Sequence, residues 1–291
     1  MKKITKAIIL CGGMGTRFLP ITKAIPKEML PILDKPILHL ILEKLKDAGI
    51  KDVLIIVGRG KECILNYFDK DIELETTLQN RGKLDLLQKV VDPTNLMNIY
   101  YLRQKEPLGT GYSLLLAKNF LKDESFLYTF GDEYVFETGN SYLDLIEDYY
   151  KCNKNLIAVS RVDKAQVYKY GIIKFKENKE NLLQVESIVE KPKVEDAPSD
   201  LSYMGTAIFD SEIFKILEKI KFDKQRELGV TEGLEILAKR RILFAKIITK
   251  ERFDLGDKLG FVKANIKASL EDEKIKKDML NYLSNIILNQ T

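Results

Sequence analysis

Histidine is nearly absent from these 291 residues: His39 stands alone. A single imidazole removes any multi-histidine zinc site and turns attention to carboxylates, ammonium and guanidinium groups, backbone N–H, or a metal held by oxygen. Cysteine is scarce too. Cys11, Cys63 and Cys152 lie too far apart for a metal knuckle, and three scattered thiols suit a reducing compartment, so the expected location is the cytoplasm. No apolar run approaches the roughly 20 residues that cross a bilayer. The opening residues 1–6 lead into a strand-like segment too short for a signal core, so no membrane is expected as a partner. Charge of one sign is missing as well: 47 Lys plus Arg face 43 Asp plus Glu, a formal net charge of +4, which gives no reason to expect nucleic acid. What is present is globular composition, 45% hydrophobic and 31% charged, with enough chain for a large core.

The apolar pattern alternates. Residues 7–10 form a run that stops at Gly12-Gly13, as a buried strand does when it feeds a loop. In 36–48, Ile37, Leu38, Ile41, Leu42 and Leu45 share one helical face, with Gly49 as the stop, and 53–57 is a second strand. Strand, helix, strand predicts a crossover and parallel pairing. The pattern continues with strand 99–102, helix 111–121, strand 126–130, helix 142–150 and strand 156–160, a doubly wound α/β sheet. After that, 171–175, 183–189 and 203–209 are β-like with little helix between them. They predict a β-rich extension, with the ligand crevice between it and the first sheet. Helices at 211–219, 230–240 and 258–270 and a strand at 242–249 complete the body, and 274–288 sets Ile275, Met279, Leu283 and Ile286 on one helical face. No Gly/Pro/Ser linker, repeat or low-complexity run divides the chain, so 1–291 reads as one unit.

Gly12, Gly13 and Gly15, then Thr16 and Arg17, make a glycine-rich turn at the carboxyl end of the first strand, where α/β folds place ligands. Glycines let main-chain N–H groups approach an anion, and the Arg17 fork suits phosphate oxygens. Taken alone, a tight turn with a solvated arginine explains the motif equally well. A dinucleotide fingerprint fits poorly because Phe18 stands where its third glycine would be, and no Gly-Lys-Ser/Thr follows to make a Walker A loop. From Pro20 to Pro31, three prolines in twelve residues argue for a stiffened irregular loop. It carries Lys23, Lys27 and Glu28 beside the turn, an arrangement for polyphosphate.

Asp132 follows strand 126–130 through Gly131, so its carboxylate is expected in the crevice, where it can hold Mg²⁺. Asp254 is a second acid in a similar setting. Mg²⁺ commonly uses one or two carboxylates, with phosphate and water completing its shell, so two separated acids suffice. Glu190-Lys191-Pro192 ends a β-like run and points an acid and an amine at one place. Gln104, with Gly109 and Gly111 after it, offers a primary amide able to make paired hydrogen bonds to a pyrimidine edge.

The run GGMGTRFLPITKAIPKEMLP, Gly12 to Pro31, resembles the opening signature of bacterial UTP–glucose-1-phosphate uridylyltransferases, also called UDP-glucose pyrophosphorylases. GxGTR and a later Pro-Lys are shared by sugar nucleotidyltransferases at large, whereas TKAxPKEMLP marks this family. Similarity resumes at Asp34-Lys35-Pro36, Arg103-Gln104, Val189-Glu190-Lys191-Pro192, Ala197-Pro198-Ser199 and Gly256-Asp257-Lys258-Leu259-Gly260, covering almost the whole chain. The resemblance implies a Rossmann-like, doubly wound mixed sheet flanked by helices, with a β-rich sugar-binding extension. Residues 1–160 would be mainly the nucleotide half, 161–257 mainly the sugar-phosphate half, and 258–291 C-terminal helices that could serve oligomerisation.

It also implies UTP, glucose 1-phosphate, UDP-glucose and pyrophosphate as ligands, Mg²⁺ as cofactor, and a homodimer or homotetramer. Asp132 and Asp254 would hold the metal, Arg17 and Lys27 the pyrophosphate, and Lys191 the attacking phosphate. Glu190 and the Gly171 backbone would meet the sugar. Gln104 would read uracil, helped by Gly13 and Glu28, with Gly12, Gly15, Thr16 and Gly109 completing the nucleotide site. Two segments depart from the pattern: LGTGY stands where many members have GLGH, and Glu227 to Glu232 reads ELGVTE where a glutamine, a leucine and an aspartate are commoner. A dTDP- or CDP-sugar pyrophosphorylase is the alternative within this chemistry. A non-catalytic nucleotide-sugar-binding protein is the alternative outside it, and a dinucleotide-dependent dehydrogenase comes third.

Overall fold

The computed structural model describes residues 3–137, 139–177, 182–223 and 225–289, so Met1 and Lys2 of the opening run lie outside the described residues. Among the described residues nine strands form one sheet: β1 Lys6–Cys11, β2 Asp52–Val57, β3 Asn98–Arg103, β4 Phe126–Phe130, β5 Asn155–Arg161, β6 Gly171–Glu177, β7 Leu183–Glu190, β8 Leu201–Phe209 and β9 Leu243–Ile247. Their order is β3-β2-β1-β4-β8-β5-β9-β7-β6. β3, β2, β1 and β4 run parallel, as do β5 and β9. β8 is antiparallel to both neighbours, and β7 to β6 and β9, so the sheet is mixed.

Two cores cover its faces. In β1, Ile9 and Cys11 point to a core shared with helices Ile37–Asp47 and Ser141–Cys152, while Ile8 and Leu10 point to one shared with Thr110–Leu116, Glu212–Leu217 and Val230–Lys239. A strand buried on both faces has to be continuously apolar, which is why residues 7–10 show no alternation. The predicted stripe on the first helix is fully buried, with Ile37, Leu38, Ile41, Leu42 and Leu45 sealed from solvent, each worth about 1.5–3 kcal/mol of burial. His39 closes the outer end of that face, bonded to the Tyr67 hydroxyl at 2.9 Å and to Glu43 at 3.1 Å, so the one imidazole is structural.

The sequence pattern needs three corrections. β8, expected in the β-rich extension, lies in the middle of the sheet between β4 and β5, so the segments before and after residue 160 are interleaved. The helix expected over 111–121 is two, Thr110–Leu116 and Lys118–Leu121, broken at Ala117. Between β2 and β3 stand three helices the pattern did not announce, Glu62–Phe68, Ile72–Asn80 and Leu84–Thr94, because much of their apolar surface faces solvent, Ile72 and Leu84 included. At the carboxyl end, helix Lys258–Glu271 is part of the body: the Phe261 ring meets Phe18 at 5.6 Å, and Asn265 bonds the Leu33 and Pro31 backbone. Helix Lys276–Leu288 lies against it with no buried residue; Met279 and Leu283 are half-buried, Ile275 and Ile286 exposed. Among the described residues no helix is long and apolar enough to cross a membrane.

Candidate active site

The turn after β1 lies over the carboxyl ends of β2 and β4. At Gly12 a Cβ would stand 2.4 Å from the Gln104 amide nitrogen, so any side chain there would displace that amide. Gly15 adopts φ 66°, the Thr22 hydroxyl closes on its carbonyl at 2.8 Å, and three single turns, Thr16–Phe18, Ile21–Lys23 and Lys27–Met29, carry the chain onward. The prolines thus leave turns rather than a helix, as the sequence predicts. Lys23 and Thr16 are exposed and make none of the contacts described below.

Two cation–carboxylate pairs meet beyond the turn. Lys27 Nζ donates to Asp132 Oδ2 at 2.6 Å, and Arg17 Nη1 to Asp254 Oδ2 at 3.3 Å and to the Gly256 carbonyl at 3.2 Å. Asp254 also accepts from the Gly256 N–H at 3.0 Å and the Tyr170 hydroxyl at 3.2 Å. The two acids share a space: Asp132 Oδ2 and Asp254 Oδ1 each lie 3.1 Å from the point a Cβ on Gly256 would occupy. Among the described residues no cluster of three or more metal-ligating side chains occurs, and this pair is the arrangement that fits an oxygen-held cation. Burial alone would pull the Lys27 ammonium down, but Asp132 and Glu28 outweigh it and hold its pKa above the ordinary value.

What aligns the two acids is a support the sequence reading missed. Glu133 and Arg252 form a nearly buried two-point ion pair, with Arg252 Nη2 on Glu133 Oε2 at 3.1 Å and Nε on Oε1. It joins the residue after Asp132 to the strand leading into Asp254, and the backbones pair as well, Val135 with Arg252 and Phe136 with Glu251. Burial pushes the Glu133 carboxyl up against the pull of Arg252. The guanidinium lies 5.6 Å over the Tyr170 ring, whose hydroxyl, pushed by burial and Asp254 to about 12, stays a donor. On the β4 side, Phe130 is seated by Gly205, at φ 80° in the β8 irregularity, where a Cβ would stand 2.2 Å from the ring.

Glu28 is fully buried and paired to Lys61 Nζ at 2.7 Å through Oε2, while its Oε1 has no partner. Burial pushes its carboxyl up, with Lys61 and Lys27 opposing. Lys61 is a third residue that sequence reasoning passed over; its signal was the Gly58-Arg59-Gly60-Lys61 turn at the end of β2, the same strand edge that carries the other candidate loops. Burial also lifts the Cys11 thiol well above its ordinary range, so it stays protonated and is no nucleophile.

The remaining residues line the flanks. Gln104 is buried and accepts from Ser113 Oγ at 2.6 Å. Gly109 takes φ 101°, and the Leu228 carbonyl sits 2.3 Å from where its Cβ would be, so conformation and space both require glycine. Leu228 N donates to Leu108 O, Gly111 N to Leu228 O, and Val230 N to Thr110 Oγ1, at 2.8, 2.8 and 2.9 Å. The two segments that depart from the family pattern are therefore laced to each other. Gly171 pairs with Glu190 in register, with Glu190 Oε2 3.1 Å from its Cβ position. Lys191 takes φ 47°, strained for a side-chain-bearing residue, anchored by its N–H on the Tyr170 carbonyl at 3.0 Å. Its ammonium is largely exposed and only 3.8 Å from Glu190. A cleft of about 390 Å³ opens there, lined by Glu190, Ile188, Thr231 and Glu232 among others.

Comparison with known proteins gives the family. The family described as Nucleotidyl transferase matches residues 6–271. A UTP–glucose-1-phosphate uridylyltransferase of Staphylococcus saprophyticus is 42% identical over 289 residues, 99% of this chain and all of the relative. A UTP-bound UGPase from Acinetobacter baumannii superposes with a TM-score of 0.88 at 31% identity, covering 99% of this chain and 100% of that one. A UDP-glucose pyrophosphorylase complexed with UDP-glucose does so at 0.83 and 31%, covering 92% and 100%. By signature, full-length similarity and fold alike, the chain belongs to the nucleotidyl transferases and, within them, to the UTP–glucose-1-phosphate uridylyltransferase family.

Proposed function

We propose that the chain transfers UMP from UTP to α-D-glucose 1-phosphate, giving UDP-glucose and pyrophosphate. The observation that carries the reading is the meeting of Asp132 and Asp254 at one space, each faced by a cation, Lys27 and Arg17. The attacking phosphate oxygen is already an anion, so no general base or protein nucleophile is required. The task is to hold two repelling anions in line and to offset charge as it grows on the leaving group.

In this reading Arg17 and Lys27 turn from their carboxylates to the triphosphate as UTP enters, and Lys191 takes the phosphate of the sugar. Glu190 and the Gly171 backbone bind the sugar hydroxyls. Gln104, with Gly12, Gly13, Gly15, Thr16, Glu28 and Gly109, makes up the nucleotide site. Asp132 and Asp254 would hold Mg²⁺, which when bound neutralises phosphate charge as a Lewis acid and templates the reactants. A homodimer or homotetramer in the cytoplasm belongs to the same proposal. The exposed Leu280, Tyr282, Ile287 and Leu288 of the last helix are the surface to test, by light scattering of a chain ending before Lys274.

The decisive assay mixes glucose 1-phosphate and Mg²⁺ with UTP, dTTP or CTP and follows pyrophosphate. Release fastest with UTP is expected. No release, undiminished release with every divalent cation chelated, or equal rates with the three nucleotides would reject the proposal.

A further inference from the structure

A glutamine by itself does not tell uracil from cytosine. Its carbonyl oxygen accepts, its NH₂ donates, and a half-turn about the terminal bond exchanges the two. Uracil and thymine present an N3–H donor beside carbonyl acceptors, whereas cytosine presents an N3 acceptor beside an amino donor. Gln104 in one orientation complements the first edge and in the other complements the second. Whatever fixes the amide therefore fixes the base.

Ser113 stands behind it, on helix Thr110–Leu116, and both side chains are buried. Its Oγ reaches Gln104 Oε1 at 2.6 Å. The other acceptor near that hydroxyl, the Gly109 carbonyl, is farther, at 3.0 Å against 2.6 Å for Oε1, and also receives the Ser113 backbone N–H, so the shorter contact assigns the single hydroxyl proton to the amide oxygen. The amide nitrogen is then the atom turned to the glycine turn, 2.4 Å from the Cβ position of Gly12 against 3.5 Å for Oε1. Bonded this way, Oε1 keeps a second lone pair for an N3–H, and the NH₂ is left to donate to a carbonyl.

We infer that Ser113 is a positioning residue that locks the Gln104 amide in the orientation complementary to bases with N3–H and carbonyl groups, and so excludes cytidine triphosphate. The inference rests on the proposed role of Gln104 in reading the base.

The test is kcat/KM for UTP and CTP, with glucose 1-phosphate and Mg²⁺, in the wild type, Ser113→Ala, Ser113→Thr and Gln104→Ala. Loss of one buried hydrogen bond should lower the UTP-over-CTP ratio about tenfold in Ser113→Ala, with KM for glucose 1-phosphate unmoved. Ser113→Thr, which keeps the hydroxyl, should restore the ratio. If Ser113→Ala does not fold, Ser113→Cys, similar in size and a weak donor, carries the same expectation. An unchanged ratio in the serine variants with a collapsed ratio in Gln104→Ala overturns the role of Ser113 alone. An unchanged ratio in all of them overturns Gln104 as base reader, and the inference with it.

Discussion

Lys27 and Glu28 are neighbours in the chain, yet the ion pairs they make live in different surroundings. The Lys27–Asp132 pair keeps side-chain exposures of 23% and 16% and faces the space shared with Asp254, whereas Lys61–Glu28 is sealed at 7% and 0%. A partly wetted pair can exchange partners, because arriving phosphate or cation replaces each lost contact. A sealed pair cannot, since separating it strands a charge in low dielectric. One turn of chain thus carries a pair built to be parted and a pair built to stay.

Lys61→Met should break that contrast most severely, by leaving Glu28 buried without its partner. A loss of about 3–5 kcal/mol in denaturant unfolding is expected. The stranded carboxyl is pushed further up, so it is protonated more readily in the folded chain than in the unfolded one. The deficit should therefore shrink as pH falls, and shrink again in Glu28→Gln/Lys61→Met. An unchanged midpoint in Lys61→Met would show that the pair is not sealed.

Asp132→Asn, on the exchangeable side, should fold normally and lose roughly 10² to 10³ in turnover, about 2.7–4 kcal/mol by analogy with an oxyanion-hole donor. Near-normal kcat at saturating Mg²⁺ would remove Asp132 from the metal role. Lys191, a largely exposed ammonium 3.8 Å from Glu190, sharpens the comparison from a third side. Lys191→Ala should raise KM for glucose 1-phosphate about 10- to 100-fold, as for a lost charged hydrogen bond, with UTP affinity little changed. The reverse pattern would move the lysine to the nucleotide.

Glu43, remote from the crevice, gives the smallest effect. Burial would raise its carboxyl, but hydrogen bonds from His39 and Lys35 pull it down to about 2. A depressed acid contributes stability in full above its ordinary value of 4.5, and that contribution is lost as pH falls towards 2. Glu43→Gln should therefore flatten the acid limb of the stability profile in that window while leaving activity at neutral pH intact. A limb as steep as that of the wild type would locate acid sensitivity elsewhere.

Much of this was legible in the chain. Strands β1, β2 and β4 and the helix Ile37–Asp47 were readable because continuous apolar runs and a helical stripe are local properties. The candidate site residues could be picked out as well, because glycines and prolines dictate backbone and because loops at strand ends carry chemistry. Less legible was anything set by pairing between distant segments. β8 looks like any apolar strand, and only its partners place it between β4 and β5. Ser113 and the Glu133–Arg252 pair carry no motif, and Lys61 only the glycine turn before it. Their partners are set by the groups against which the fold buries them.

The sequence alone determined that this is an α/β chain with a glycine-rich turn after its first strand and with acids and lysines at later strand ends, since residue type and spacing fix those. Tertiary structure decided which acid meets which cation, which lysine is sealed and which free, and which way a glutamine faces. Those depend on distances between segments far apart in the chain, and on burial, which sets the strength of every charge and hydrogen bond in the crevice.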